Sequence, residues 1–426
     1  MERTAVPDRV KLAIGTWTKP CIDNGLGSRI SRPKDLFLGW DHFVNTAIIS
    51  KNTTLQILIT SSDKAPLTET RTTMPKIQWL LLFLPVALLL EFAHISDLAV
   101  FMTSALAIVP LAGFLGEATE VLAEKTGPRI GGLLNASLGN AAELIITLVA
   151  ISAGQMELVR ASITGSILGN LLLVMGLSML AGGLKNGRQT FDRRNVDTDA
   201  TMTILALIAI SIPSLFNNYI EPNSLAVEEL SLATAGVILV LYVLFIIYTL
   251  KNCHSNPCEG KPAGLEVRAP RWSTRRALGL MTLSMTGMAL MSELLVGSVQ
   301  AATDHLGLTP FFVGIIIVPI IGNVAEHLVS VQAALQNRMD LSLSIALGSS
   351  LQIALFVTPV LVFVSLMIGK PLTLQFNQLE LIALTAASFI SALVSLDGES
   401  NWLEGAMLLA VYSMLGLAFY FLPLSV

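Results

Sequence analysis

Long apolar runs separated by short polar breaks begin at Ile77 and continue to the end of the chain, while the first 73 residues lack them. At roughly 20 apolar residues per bilayer crossing, the pattern predicts eleven membrane-spanning helices. They fall near 77–95, 98–122, 130–153, 159–182, 200–216, 226–250, 276–301, 309–335, 341–368, 379–396 and 402–423. The fold class expected is an all-α polytopic membrane protein. Several of these segments carry Gly, Pro or an acid, which membrane helices tolerate only where neighbouring helices or a wet cavity satisfy them.

Composition agrees with this pattern. Only 13% of the 426 residues are charged and 53% are hydrophobic, against roughly 25% charged in an average soluble domain. A net charge of −4 without a basic block gives no support to a nucleic-acid partner. Three cysteines, Cys21, Cys253 and Cys258, are too few for a disulfide scaffold. Loop charge orients the stack: with the N-terminus cytoplasmic, thirteen Lys and Arg fall in inside loops, against Arg160 and Lys370 outside. Residues 1–73 contain neither a span nor a signal-peptide core. They read as a disordered cytoplasmic tail that is either idle or regulatory, or as sequence ahead of a natural start at Met74.

Self-similarity adds the most information. Gly139-Asn140-Ala141-Ala142-Glu143 recurs as Gly322-Asn323-Val324-Ala325-Glu326. Without gaps, the same register pairs Met156 with Met339 and Gly165-Ser166 with Gly348-Ser349. The first copy begins on the third span and the second on the eighth, which runs the opposite way. The expected architecture is thus a first helix at 74–96, a five-helix repeat at 97–250, a cytoplasmic basic loop at 251–275 and an inverted five-helix repeat at 276–426. Inverted repeats with a site at their interface near the bilayer midplane mark secondary transporters.

The repeated residues carry the candidate chemistry. An acid inside a span costs at least about 2.5–3.5 kcal/mol and is functional by default. Asn140 and Asn323 precede Glu143 and Glu326 by three residues and share a helix face with them. Gly139 and Gly322 weaken the helix there, which frees backbone carbonyls. Ser166, Ser349 and Gln352 complete a set of hard oxygen donors suited to calcium, which takes roughly 6–8 oxygens. The spans hold no thiolate cluster for a soft metal. Two carboxylates in a low-dielectric cavity repel each other and lose solvation, and either calcium or protons relieve both costs. Competition for the same oxygens is what an antiporter requires. His327, beside Glu326, is either a proton relay or a helix-packing histidine on the adjacent face. A lone Gly-Asn is a packing device; two symmetric copies with an acid three residues on point to a site.

At these residues the chain resembles the calcium/proton antiporters of the calcium/cation exchanger superfamily. GNAAELI at Gly139–Ile145 and GSILGNLLLVMG at Gly165–Gly176 are similar to that family's first repeat motif. GNVAEH at Gly322–His327 and GSSLQIALFV at Gly348–Val357 are similar to the second. The resemblance covers roughly 77–426. It implies that Glu143 and Glu326 are paired cation ligands and proton acceptors, with Asn140, Asn323, Ser166, Ser349 and Gln352 as neighbours. It also implies acids on the second and seventh spans near the ion path, where Glu117, Glu120 and Glu293 stand in comparable places. Sodium/calcium exchangers of the superfamily carry Ser/Thr- and Pro-rich motifs instead, so the pattern favours proton coupling.

The chain departs from vacuolar members in one respect. Where those often carry an acidic segment between the halves, Lys251–Arg276 holds six basic residues against Glu259 and Glu266. A bacterial plasma membrane is therefore the expected location, or a vacuolar membrane in a eukaryote. Cys253, His254 and Cys258 are spaced too loosely for zinc. No HExxH, paired nucleophile motif or Walker A sequence occurs, so neither an enzyme nor an ATP-driven pump is expected. The expectation is a secondary antiporter moving calcium against protons, without a cofactor. Sodium- or potassium-coupled calcium exchange and a passive cation channel are the alternatives.

Overall fold

Eleven helices are present among the residues that the computed structural model describes, which are 77–219, 224–252 and 272–422. They are α1 (Gln78–Phe92), α2 (Asp97–Leu138), α3 (Ala141–Ser152), α4 (Met156–Asn186), α5 (Arg193–Tyr219) and α6 (Ser224–Asn252). The second half contributes α7 (Thr274–Leu306), α8 (Pro310–Leu335), α9 (Met339–Met367), α10 (Gln378–Val394) and α11 (Trp402–Tyr420). Eight of these rods are long and apolar enough to cross a bilayer, and α1, α3 and α10 are shorter apolar helices. Their boundaries follow local chemistry. Ser96, Ser273 and Thr309 accept N-terminal amides of α2, α7 and α8, and Asn377 and Asn401 form capping boxes with Glu380 and Glu404. The protein is an all-α integral membrane protein of two inverted five-helix repeats, α2–α6 and α7–α11, preceded by α1. The tail at 1–73 and nearly all of the basic loop lie outside the described residues.

Equivalent positions in the repeats share backbone geometry as well as sequence. The α3–α4 turn has Gly154 at φ 79°, and the α8–α9 turn has Asn337 at φ 60°. The next residues, Gln155 and Arg338, both hold ψ near 65°, at 66° and 63°. Halfway along α4 and α9, the helix widens into π turns at Gly169–Val174 and Ile353–Val357, a distortion frequent at functional sites.

One difference from the expected spans matters. The segment expected at 130–153 is not one helix. Gly127 (φ 83°, ψ 169°) breaks α2, which then continues to Leu138, and a second break at Gly139-Asn140 precedes α3. Only glycine takes the Gly127 conformation without strain.

α2 packs along α7, α2 also meets α8, and α7 meets α3, so each half embraces the other. One continuous core runs through both repeats. Large side chains such as Phe92, Ile208, Leu283, Phe389 and Met414 point outward, as a hydrocarbon surround favours. The loops sort to two faces. On one, Lys370 donates to the Ser152 carbonyl and Gln155 to that of Val296. On the other, Asn186 and Gln189 bond to Ala334, and β1 (Gln189–Thr190) pairs antiparallel with β2 (Glu399–Ser400), flanked by an exposed Arg188–Glu399 ion pair. Residues 370–377, between α9 and α10, are extended and buried at Leu372, Leu374 and Phe376. Their amides are satisfied by the hydroxyls of Ser365, Ser231 and Ser214, which is the condition for irregular backbone within a membrane bundle.

Candidate cation-binding site

Glycine sets the position of the site. A Cβ on Gly165 would stand 2.0 Å from the Ile315 carbonyl oxygen, and one on Gly314 would stand 2.8 Å from Ala161 Cβ. Two glycines thus let the backbones of α4 and α8 touch, a device membrane helices use for close crossing. This crossing brings Ser166 to Asn323, whose Nδ2 donates to Ser166 Oγ at 3.4 Å. On the other diagonal, Ser349 Oγ donates to Asn140 Oδ1 at 3.0 Å. Each asparagine of the repeat therefore meets the serine of the opposite half.

The carboxylates enter from the same two segments. Glu143 sits in the first turn of α3, just past the Gly139-Asn140 break, so the free amides of that helix end lie close to its charge. Its Oε1 lies 3.6 Å from where a Gly322 Cβ would be, one helical turn from Glu326. The two carboxylates interact electrostatically, and Glu326 faces the Ser349 hydroxyl. Glu143, Asn140, Asn323, Ser166 and Ser349 are all buried, while Glu326 and Gln352 are half-buried. Three buried oxygens here have no hydrogen-bond partner: Glu143 Oε1, Asn323 Oδ1 and Glu326 Oε2. Buried acceptors normally have one, so three such oxygens from opposite halves form an arrangement able to receive a cation or protons. Among the described residues, no group of three or more His, Cys, Asp or Glu is placed to hold a metal ion, and the neutral oxygens beside the two carboxylates are those of Asn140, Asn323, Ser166, Ser349 and Gln352.

The remaining expected residues take distinct places. Gly139 adjoins Gln352: its Cβ would lie 3.5 Å from Gln352 Oε1, which accepts from Asn140 Nδ2 at 2.7 Å. The helix is interrupted at Asn140 (φ −98°, ψ 28°), directly after Gly139, which itself keeps helical angles, and it is continuous through Gly322, so an interruption follows the glycine in one copy only. His327 is buried, and its Nε2 has no partner. Glu117 and Glu120 lie on α2 and Glu293 on α7, helices that flank α8 and α3; Glu117 is half-buried, and Glu120 and Glu293 are exposed.

Sequence reasoning missed Asn170. Its Nδ2 donates to Ser349 Oγ at 3.0 Å, so a directional chain runs from Asn170 through Ser349 and Asn140 to Gln352. The signal was present as a third Gly-Asn pair, Gly169-Asn170, one turn after Ser166. The repeat register sets Asn170 opposite Ile353, so a search for symmetric pairs passes over it.

Comparison with known proteins agrees with the fold and the repeat. The family model described as sodium/calcium exchanger protein matches residues 96–251 and 276–421. A Ca(2+)/H(+) antiporter of Aphanothece halophytica is 44% identical over 360 residues, spanning 81% of this chain and 96% of that protein. The Ca(2+)/H(+) antiporter ChaA of Bacillus subtilis is 38% identical, over 79% of this chain and 96% of its own. The solved structure of native YfkE superimposes with a TM-score of 0.71 at 35% identity, covering 81% of this chain and all of that one. With both halves matched in order, the chain belongs to the sodium/calcium exchanger protein family.

Proposed function

We propose that this protein is a secondary antiporter that moves calcium out of the cytosol in exchange for protons. The observation that carries this reading is the trio of buried, unpartnered oxygens, Glu143 Oε1, Asn323 Oδ1 and Glu326 Oε2, drawn from opposite repeats. Hard oxygens of this kind suit calcium, and the relatives named as Ca(2+)/H(+) antiporters favour protons as the counter-ion.

The mechanism follows from electrostatics. Two ionised carboxylates facing each other away from water are costly, through mutual repulsion and lost solvation. A doubly charged cation between them offsets both penalties, and so does a proton on each. Calcium and protons thus exclude each other from the same oxygens, and the empty, doubly charged pair is too unfavourable to turn between the membrane faces. Asn140, Asn323, Ser166, Ser349 and Gln352 supply neutral oxygens or hold those that do. His327 offers a proton-accepting nitrogen beside Glu326. Glu117, Glu120 and Glu293 line the approach on α2 and α7. The excess of Lys and Arg in one set of loops favours a cytoplasmic N-terminus and α8–α9 turn, in the plasma membrane of a bacterium or, in a eukaryote, a vacuolar membrane.

A gradient-swap assay tests this reading. In everted vesicles, calcium uptake should follow an imposed proton gradient and collapse when that gradient is dissipated. Uptake driven by sodium or potassium alone would move the assignment to a sodium- or potassium-coupled exchanger. Downhill flux indifferent to any gradient would indicate a passive channel.

A further inference from the structure

Past Glu326, α8 carries a polar column on one face. Ser330 and Ala334 follow Glu326 at successive intervals of four residues, so all three share a side of the helix. Ser330 Oγ lies 3.1 Å from Ser178 Oγ of α4 and 2.9 Å from Ser342 Oγ of α9, and all three serines are buried. One turn on, the Ala334 carbonyl accepts from Asn186 Nδ2 at 3.0 Å and from Gln189 Nε2 at 2.9 Å. Gln189 Nε2 also donates to Asn337 Oδ1 in the α8–α9 turn. Gly182 of α4 makes room for that amide, because a Cβ there would stand 2.2 Å from Gln189 Oε1. The column thus runs from the candidate site to the face that carries the α8–α9 turn.

Three features set this column apart from helix packing by polar contacts. Serine and threonine in a helix interior commonly turn their proton onto their own helix, as Thr147, Ser211, Ser298 and Ser391 do here. Ser178, Ser330 and Ser342 bond across helices instead. Both ends of the column also hold buried polar atoms without a partner. These are Glu326 Oε2 at one end, and Gln189 Oε1 and Ser400 Oγ, from paired residues of β1 and β2, at the other. Such atoms are where buried water binds. Finally, the repeat mates are apolar. In the register that pairs Glu143 with Glu326, Ser178 matches Leu361, Ser342 matches Val159 and Gln189 matches Leu372, all three buried. Thr147, the mate of Ser330, is turned onto the Glu143 carbonyl. The repeat builds a polar column on one side of the site and an apolar plug on the other.

We propose that Ser330, with Ser178, Ser342 and Gln189, forms a proton route between Glu326 and the α8–α9 face, distinct from the oxygens that take calcium. This route rests on the calcium/proton reading above. A hydroxyl accepts a proton on its oxygen and passes on its own. The Glu326 carboxyl, left as a carboxylate when calcium arrives, delivers its proton through Ser330 and either neighbouring serine to water at Gln189. Only O–H bonds form and break, and each serine ends as the neutral hydroxyl it began as. A chain of hydrogen bonds carries protons and excludes metal ions, so protons leave the site by one path and calcium enters by another.

The test is the rate of proton release from the purified full-length protein, followed with a pH indicator after rapid mixing with calcium. Calcium affinity and the number of protons released per calcium are measured beside it at equilibrium. Ser330→Ala should slow release roughly tenfold or more, since a positioned proton-transfer group contributes about 100–10,000-fold and water replaces it in part. Ser178→Ala combined with Ser342→Ala should slow it likewise. Affinity and protons per calcium should stay at wild-type values in both, because none of the three serines holds calcium. Ser391→Ala removes a buried hydroxyl of α10 that bonds its own helix and should leave the rate unchanged. Release at the wild-type rate in both serine variants, slowing matched by lost calcium affinity, or equal slowing in Ser391→Ala would overturn the route. Each of these outcomes leaves the calcium/proton reading standing, because the wild-type protein still releases protons. No release from the wild-type protein would overturn both.

Discussion

The same five-residue motif is built twice in this molecule and behaves differently each time. Around Gly139-Asn140 the helix is interrupted, and Glu143 begins a new helix with free amides beside it. Around Gly322-Asn323 the helix is unbroken, and Glu326 sits in its interior. The amides differ as well. Asn140 has both ends engaged, accepting from Ser349 and donating to Gln352, whereas Asn323 donates to Ser166 and leaves its oxygen unpartnered. Glycine next to asparagine permits a break without forcing one, and the neighbours decide. Gln352, whose repeat mate is Gly169, reaches Asn140; no equivalent side chain can reach Asn323. Symmetric sequence thus yields an asymmetric site.

The largest effect that would sharpen this comparison is loss of either acid. Glu143→Gln and Glu326→Gln should each abolish proton-driven calcium uptake in everted vesicles, with normal protein level and insertion. Near-normal transport in one of them would mean that the halves do not share a site. Next come the crossing glycines. Gly165→Ala forces apart two backbones and should cost about 1–3 kcal/mol, read as a lowered unfolding temperature in detergent. Gly348→Ala, at the matching position, should be nearly silent. Equal effects would show that the two crossings are packed alike.

Smaller effects probe the hydrogen-bond chain. Asn170→Ala removes the donor that fixes Ser349 and should weaken calcium binding by about 10–100-fold, the usual range for a residue that orients ligands. Gln352→Ala, at the far end of the same chain, should cost only about 1 kcal/mol. A larger penalty for Gln352 would make it a direct ligand. Arg188→Ala breaks an exposed ion pair on the β1–β2 clasp and should change stability by less than about 1 kcal/mol.

The architecture was legible in the sequence because a bilayer imposes it: apolar runs gave the helices, and the repeat of the GNxAE motif and Gly-Ser gave the inverted halves. The candidate acids were legible for the same reason, since charge inside a span stands out. What escaped depends on tertiary contacts. Nothing in the shared Gly-Asn pattern separates Gly139-Asn140, where the helix is interrupted at Asn140, from Gly322-Asn323, where it is not. Gly314 matters only because Leu158 and Ala161 of α4 pack against it. The buried strap at 370–377 lacks a period of its own and is held by Ser214, Ser231 and Ser365 from three different helices. Asn170 lies off the symmetry that revealed the rest.

Proton release on calcium binding tests the central claim most directly. Purified protein in weakly buffered detergent solution is titrated with calcium while pH is followed. Wild-type protein should release protons as calcium binds, approaching two per calcium at acidic pH. Its apparent affinity should fall by up to about a hundredfold for each unit that pH is lowered. Glu143→Gln and Glu326→Gln should lose the release together with tight binding. Calcium bound tightly with no proton released, or release unchanged in either variant, would contradict a shared site.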